Sequence, residues 1–383
     1  MTAGLNTPWR CAAIALLLAT ALVLALYAFA FDGRITGFFR IGDALPVSPR
    51  LAGQDVRVFA GQAGYDGQQF LSLALDPFLQ DRETLACLDN PRYRLRRILY
   101  PLAAHVLSLG EARAVPWAMV GLNLAAVAAL VLALAGLFER AGVAPALSLL
   151  ALAIPGTWVV LAFSTEGLWQ SALLAGAVSL HLRRRPAGAA AALMLAALTL
   201  EAAILYWPAF ALALRIERRS RGMVHLLWAA APALCWNAWI LRRIPGSAAP
   251  TGEMQDFGPP FLGLLEKTAA LLSSGVTAKA GFETISFGVL VGVFVLLAWT
   301  VLRMKREHGV IGFCAAMTGA LFLSGNQKLF GYYVDYNRVF LDASVLLLVS
   351  LSARVAFVPK LVVMGLSALT SVAFVAAYCL DLI

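Results

Sequence analysis

Charge is the scarcest property of this sequence. Only 13% of its 383 residues are Asp, Glu, Lys or Arg, about half the roughly 25% of an ordinary globular domain. With 61% apolar residues and a mean hydropathy of +0.80, polar side chains are too few to cover a water-soluble fold. Cysteine and histidine are sparse too. Cys11, Cys87, Cys235, Cys314 and Cys379 form no CxxC pair, and His105, His181, His225 and His308 are scattered. The spacing supports neither a disulfide framework nor a zinc site. There is no Gly-rich phosphate loop, no Asp-x-Asp metal motif and no internal repeat, so the usual means of holding a nucleotide sugar are missing.

Long apolar runs are what the chain has instead. CAAIALLLATALVLALYAFAF (11–31) and MVGLNLAAVAALVLALAGLF (119–138) reach the ~20 residues that cross a bilayer. Ala28-Phe29-Ala30 imitates a signal-peptide cleavage site, but the apolar stretch before it is longer than a signal core, so it reads as a retained anchor. Ten spans are expected, at about 11–31, 115–137, 143–163, 167–182, 187–214 (broken), 223–241, 284–302, 310–323, 339–357 and 360–380. The expected fold is an all-α polytopic membrane protein, one membrane domain over 1–383.

Orientation follows from the loops. With the N-terminus cytoplasmic, the inner segments carry 14 basic residues, among them Arg140, Arg183, Arg215 and Arg354, against three acids. The remainder holds 16 basic and 18 acidic residues, so the whole basic excess lies on one side, as the positive-inside rule requires. The pI near 9.6 is thereby explained by topology, and a nucleic-acid partner is not. A structured first extracytoplasmic loop (32–114) and a second (242–283) result. FLSLALDPF (70–78) has the spacing of a short amphipathic helix, with Phe70, Leu73, Ala74 and Pro77 on one side. RRILYPLAAHVLSLG (96–110) and PPFLGLLEKTAALLSS (259–274) read as juxtamembrane or interfacial segments. Basic clusters flank 187–214 on both sides. Two half-length helices meeting near Glu201 would keep both clusters inside.

Five stretches, in order, carry a resemblance: GYDGQQFLSLALDPF (64–78), DNPRYRLRRILYPLAA (89–104), FSTEGLWQ (163–170), LTLEAAIL (198–205) and YNRVFLDA (336–343). The chain resembles bacterial membrane glycosyltransferases of the GT-C superfamily, relatives of the GPI mannosyltransferase II group. Leu200 departs from that pattern, which has a basic residue before the glutamate. The resemblance implies a GT-C-like bundle, a catalytic acid in the first outer loop and a polyprenyl-phosphate-linked sugar donor. It also implies transfer on the periplasmic side of the bacterial inner membrane. A lipid-borne donor fits the chemistry independently, because nucleotide sugars are confined to the cytoplasm.

Asp66 is the leading catalytic candidate, a general base for the acceptor hydroxyl. Asp66-Gly-Gln-Gln69 also has the pattern of a helix N-cap with Gln69 reaching back. Arg97, Arg94 and Arg96 suit a donor phosphate, or else snorkel to lipid headgroups. Glu166 stands where a helix N-terminus favours an acid, and Glu201 is a costly intramembrane carboxylate. Arg338 and Asp342, four apart, suit an internal ion pair. Arg338 also lies just beyond Lys328, Tyr332, Tyr333 and Asp335, further pocket candidates together with Tyr65. The Trp residues at 158, 169, 207 and 236 suit an interfacial belt.

The expected activity is an inverting transfer of a sugar from a polyprenyl-phosphate donor to a periplasmic glycan, lipid or protein, with no cofactor and no obligatory metal. The alternative is a transporter or lipid-linked-sugar flippase, for which a broken helix with a buried acid is a recurrent device.

Overall fold

The computed structural model describes residues 7–244, 256–305 and 308–379; residues 245–255 of the expected second outer loop lie outside these. Helix α1 (Pro8–Ala25) starts with Pro8 in its first turn, where the missing N–H costs nothing. Cys11, Ala15 and Ala19 recur every four residues on its buried face. These small side chains let it approach the helix Val115–Arg140 closely, as packing in a bilayer demands in the absence of a hydrophobic force between helices. Leu17, Leu18 and Leu24 face outward.

The segment after α1 is built into the bundle rather than laid over it. Two short parallel strands, β1 (Ile41–Gly42) and β2 (Val58–Phe59), pin its first half. Helix α2 (Asp66–Leu75) begins four residues before the expected amphipathic stretch and ends before Pro77. It is not half-exposed as its pattern suggests: Gly67 to Leu75 are all buried. The one-sided pattern is overridden because polar Gln68, Gln69 and Ser72 are buried too, Gln68 and Gln69 accepting from the backbone N–H of Gly42 and Asp89. Helices α3 (Pro91–Arg96) and α4 (Leu99–Leu107) follow, neither long enough to cross a bilayer.

The long helix α5 (Val115–Arg140) crosses next. A 3-10 segment, Pro145–Ala153, then meets α6 (Pro155–Phe163) at a 60° bend, where Pro155 cannot continue the preceding hydrogen-bond ladder. Helix α7 (Gly167–Leu182) returns. The broken stretch is two helices, α8 (Pro186–Thr199) and α9 (Tyr206–Ile216), joined by a 3-10 turn, Glu201–Leu205. Its two outer ends lie together: His181 Nε2 is 2.9 Å from Glu217 Oε1, and Arg219 Nη1 is 2.8 Å from Glu217 Oε2. The basic clusters beyond α7 and α9 therefore share one end of the bundle, and Glu201 is at the tip of a hairpin pointing to the other. A cysteine at Ala202, with exposed Cys235 and Cys379 replaced, is expected to react with an impermeant thiol reagent from the side opposite those clusters. Labelling only from the clusters' side would contradict the hairpin.

Helix α10 (Ser220–Arg243) packs on α8. The expected interfacial segment holds α11 (Leu262–Ser273), tethered by a buried contact of Lys267 Nζ with Glu283 Oε2 at 3.0 Å. Helices α12 (Ala278–Arg303) and α13 (Gly309–Ser324) follow. Then come the single turn α14 (Gln327–Phe330), α15 (Tyr333–Val339) and α16 (Leu341–Val349). A 47° bend separates α15 from the helical run beginning with α16. Helix α17 (Phe357–Cys379) is the last described. Among the described residues five helices are long and apolar enough to cross a membrane, and two bent pairs raise the number to seven; α8 and α13 are shorter apolar helices. The chain is a multi-pass, overwhelmingly helical membrane protein.

Candidate functional site

Segments far apart in the chain meet at the end of the bundle carrying the hairpin tip. The local sequence explains the first of them. Asn90 caps α3 by accepting from Tyr93 N–H at 3.2 Å, and Pro91 occupies the first turn. Arg94 and Arg97, three apart, then both reach Asp66, whereas Arg96 lines the neighbouring cavity that Arg97 also borders. Opposite stands Asp66 in the first turn of α2. Gly67 permits this: a Cβ there would fall 2.3 Å from the carbonyl oxygen of Phe163, so only glycine lets α2 abut the end of α6.

Asp66 is not a helix cap. Tyr65 holds the cap position, and Gln69, rather than reaching back, is taken up by Asp89. The Asp66 carboxylate instead meets three guanidiniums. Arg94 Nη1 lies 2.9 Å from Oδ1, Arg97 Nη1 lies 3.9 Å from Oδ2, and Arg338 Nη1 donates to Oδ2. Arg338 comes from 272 residues away. The expected ion pair of Arg338 with Asp342 does not form, because the bend at Phe340 turns the two side chains apart. Asp342 accepts from Ser171 at 2.5 Å and Tyr206 at 2.9 Å in the interior. Burial pushes the Asp66 carboxyl up, but Arg338, then Arg94 and Arg97, outweigh it and hold the group well below the usual carboxylate range.

Arg94 and Arg97 are buried, not snorkelling. Arg94 grips Asp89 through two bonds, Nε to Oδ1 at 2.8 Å and Nη2 to Oδ2 at 2.6 Å. Arg97 does the same to Glu201, at 2.8 and 2.6 Å, so Glu201 is neither isolated nor a bare charge in lipid. Arg97 also donates to Glu166 Oε1 at 2.9 Å and to the Tyr93 hydroxyl, over whose ring it stacks at 4.3 Å. Glu166 does cap α7 by position, but its side chain makes no cap bond and serves Arg97 instead. Its second oxygen, Oε2, is buried without a hydrogen-bond partner. Burial raises the Glu166 carboxyl above its ordinary value, with Arg97 and Arg338 opposing.

Two cavities share this wall. The first, about 300 Å³, is polar and is lined by Asp66, Asp89, Tyr93, Arg94, Lys328, Asp335 and Arg338 among others. Lys328 is exposed there, 3.4 Å from Asp256. The second, about 360 Å³, lies beyond Arg338 and Tyr93 and combines Arg96, Arg97, Glu166 and Glu201 with Leu200, Ile204, Phe257, Leu321, Val339 and Phe340. Exposed Ile204, Phe257 and Val339 give it an apolar mouth. Tyr65 donates to Asp335 Oδ1 at 2.8 Å, and burial pushes its hydroxyl pKa well up.

Tyr333 is not in the site. Its ring packs on Phe282 and Phe374, and its hydroxyl donates to the Thr370 carbonyl; the neighbouring Tyr332 lines a separate cavity instead. Trp236, expected in the interfacial belt, donates to the Leu95 carbonyl at 2.7 Å. Sequence reasoning missed Tyr93 and Asp89, although both stand inside the DNPRYRLRR stretch it singled out. Asp256 was missed as well. Among the described residues no three His, Cys, Asp or Glu side chains are grouped as a metal ion would need. In comparison with known proteins, no family model, no curated protein and no solved structure matches the chain.

Proposed function

We propose that this protein is an inverting glycosyltransferase of the GT-C kind, taking a sugar from a polyprenyl-phosphate donor and passing it to a periplasmic acceptor. The observation that carries the reading is the Asp66 carboxylate clamped by Arg94, Arg97 and Arg338 where a polar and an apolar-mouthed cavity meet. A lipid-linked sugar phosphate has those three parts: a prenyl chain for the apolar mouth, a phosphate for the guanidiniums and a sugar for the polar side. Three guanidiniums face four carboxylates, Asp66, Asp89, Glu166 and Glu201. An entering phosphate must therefore displace or neutralise one of them. Glu166, already pushed toward its neutral form by burial, takes up a proton from solvent as the phosphate enters, and Arg94 and Arg338 turn from Asp66 toward the phosphate.

That exchange supplies the chemistry. A carboxylate held by three cations is a weak base. Once the phosphate shares those cations, the proton affinity of Asp66 rises and it accepts the proton of the acceptor hydroxyl. The oxygen attacks the anomeric carbon as the carbon–phosphate-oxygen bond breaks, and the arginines stabilise the charge left on the phosphate. The positive charge is supplied by side chains, so no metal is required in this scheme.

The direct test is incubation of the purified protein with a polyprenyl-phosphate hexose and chelator, following release of polyprenyl phosphate. Acceptor-dependent release is expected. Activity seen only after magnesium or manganese is added would remove the metal-free scheme, and transport of the intact donor across vesicles without cleavage would favour the transporter reading. The topology belonging to this function has about ten crossings, a cytoplasmic N-terminus and the site outside. A reporter after Arg184 is then expected to be cytoplasmic and one at Ala86 periplasmic. A cytoplasmic reporter at Ala86 would overturn the arrangement.

A further inference from the structure

On the far side of Tyr65 from Asp66 lies a third cavity, of about 200 Å³, that the scheme above does not use. Its walls are aromatic: Tyr65, Phe163, Tyr332, Phe374 and Tyr378. Tyr65 and Phe163 have ring centroids 4.8 Å apart, and Phe163 and Tyr378 have theirs 5.5 Å apart. Polar groups stand among them. Arg40 donates through Nε to Gln62 Oε1 at 2.9 Å while its guanidinium lies 4.3 Å over Phe59.

The backbone around these groups is held in an unusual form. Arg40 is left-handed, with φ of 45°, a conformation that a long side chain adopts only where its surroundings impose it. Its carbonyl accepts from Tyr65 N–H at 3.1 Å, tying this cavity to the residue before Asp66. A Cβ on Gly42 would fall 2.2 Å from Gln62 O and Gly64 N, so the 62–64 segment lies against residue 42 only because it is glycine. Arg40, Gln62 and Tyr65 are thereby fixed relative to one another before anything binds, which reduces the entropy lost on binding.

We infer that this cavity is a saccharide subsite that seats one neutral hexopyranose ring of the acceptor. Pyranose rings present C–H faces, which suit aromatic walls, and peripheral hydroxyls, which suit a guanidinium and a carboxamide at fixed positions. A binding site that is mostly apolar, with few polar groups aimed inward, has this composition. Arg40 is the one charged side chain among the residues lining this cavity, Arg57 and Arg338 standing behind its Phe59 and Tyr65 neighbours, and a lining with one cation suits a neutral ring better than a phosphate. Tyr65 joins the subsite to the reaction: one ring forms a wall here, while its hydroxyl holds Asp335 on the polar cavity and Arg338 lies 4.9 Å over its face. The assignment of the ring to an acceptor rests on the transfer reading above; the binding of a sugar at this place does not.

The test is saturation-transfer NMR on the full-length protein in detergent, with methyl α-D-glucopyranoside, mannopyranoside and galactopyranoside as probes. At least one glycoside is expected to receive saturation at its ring C–H protons. The signal is expected to fall about three- to tenfold in Tyr332→Leu, which keeps bulk but removes a ring, and also in Arg40→Gln, which keeps a polar side chain without the charge. Matching thermal transitions identify folded variants, and either variant alone suffices. No saturation in the wild type, or a signal unchanged in a folded variant, overturns the subsite. Saturation retained in Asp66→Asn, with turnover lost, supports the subsite and the base together. Turnover in a wild type that binds no glycoside would leave the transfer reading intact and remove only this pocket.

Discussion

Asp66→Asn is expected to cut turnover at least about 10²-fold while donor affinity stays equal or increases. The amide cannot take the acceptor's proton, yet it leaves Arg94 and Arg338 free for the phosphate, which no longer competes with a carboxylate. Loss of affinity in parallel with turnover would show that Asp66 only holds the arginines in place. The substitution is not silent for folding, as it would be at a helix cap, because it leaves Arg338 without its closest anion. The thermal transition is expected to fall, and bound donor to restore part of it. The pH dependence offers a second reading of the same group. In the free protein Asp66 is held below its ordinary value of 3.8, so it is ionised throughout the working range and kcat/KM carries no acid limb from it. In the donor complex the cations are shared and its pKa rises, so kcat is expected to show an acid limb that kcat/KM lacks. Coincident profiles would contradict the exchange of cations.

Arg338→Ala carries the second large effect. Its guanidinium is the strongest of the influences lowering the Asp66 carboxyl, and in the proposed reaction it faces the leaving phosphate. Removing one such donor costs about 10²–10³ in kcat. Taking one partner from a largely buried pair also costs about 3–5 kcal/mol; the Asp66 and Arg338 side chains are 14% and 16% exposed. Arg338→Lys separates the two effects. It keeps the charge and most of the stability but loses the flat fork that spans carboxylate and phosphate together, so it is expected to fold and remain at least about tenfold impaired. Steady-state kinetics beside thermal unfolding checks both variants. Wild-type turnover in a folded Arg338→Ala protein would exclude the role.

The helical membrane character was legible because it depends on composition and run length, both local. So was the hairpin, since two basic clusters on either side of 187–214 leave a chain of that length no other economical path. What was not legible depended on distant partners. Whether Asp66 caps α2 or pairs with cations is decided by Arg338, 272 residues on. Whether Arg338 meets Asp342 is decided by a 47° bend, which helical spacing does not encode. Tyr332 and Tyr333 were both read as pocket residues, yet Tyr333 packs inward on Phe282 and Phe374 and Tyr332 lines a separate cavity, which adjacency in sequence does not encode. For α2, periodicity reported an apolar side correctly but not that the other side is buried as well, because Gly42 and Asp89 supply its polar contacts.

The partners of Arg97 lie 69 and 104 residues downstream, and Asp66 waits for Arg338 until nearly nine-tenths of the chain has been made. A ribosome delivers residues in order. The arginines of α3 therefore leave the ribosome well before Glu166, Glu201 and Arg338 exist. In the interval Arg94 already has Asp66 and Asp89, but Arg97 lacks both of its glutamates, a state open to mispairing and to recognition by quality-control proteases. The charge cluster consequently cannot close until synthesis has passed Arg338, well into the final third of the chain.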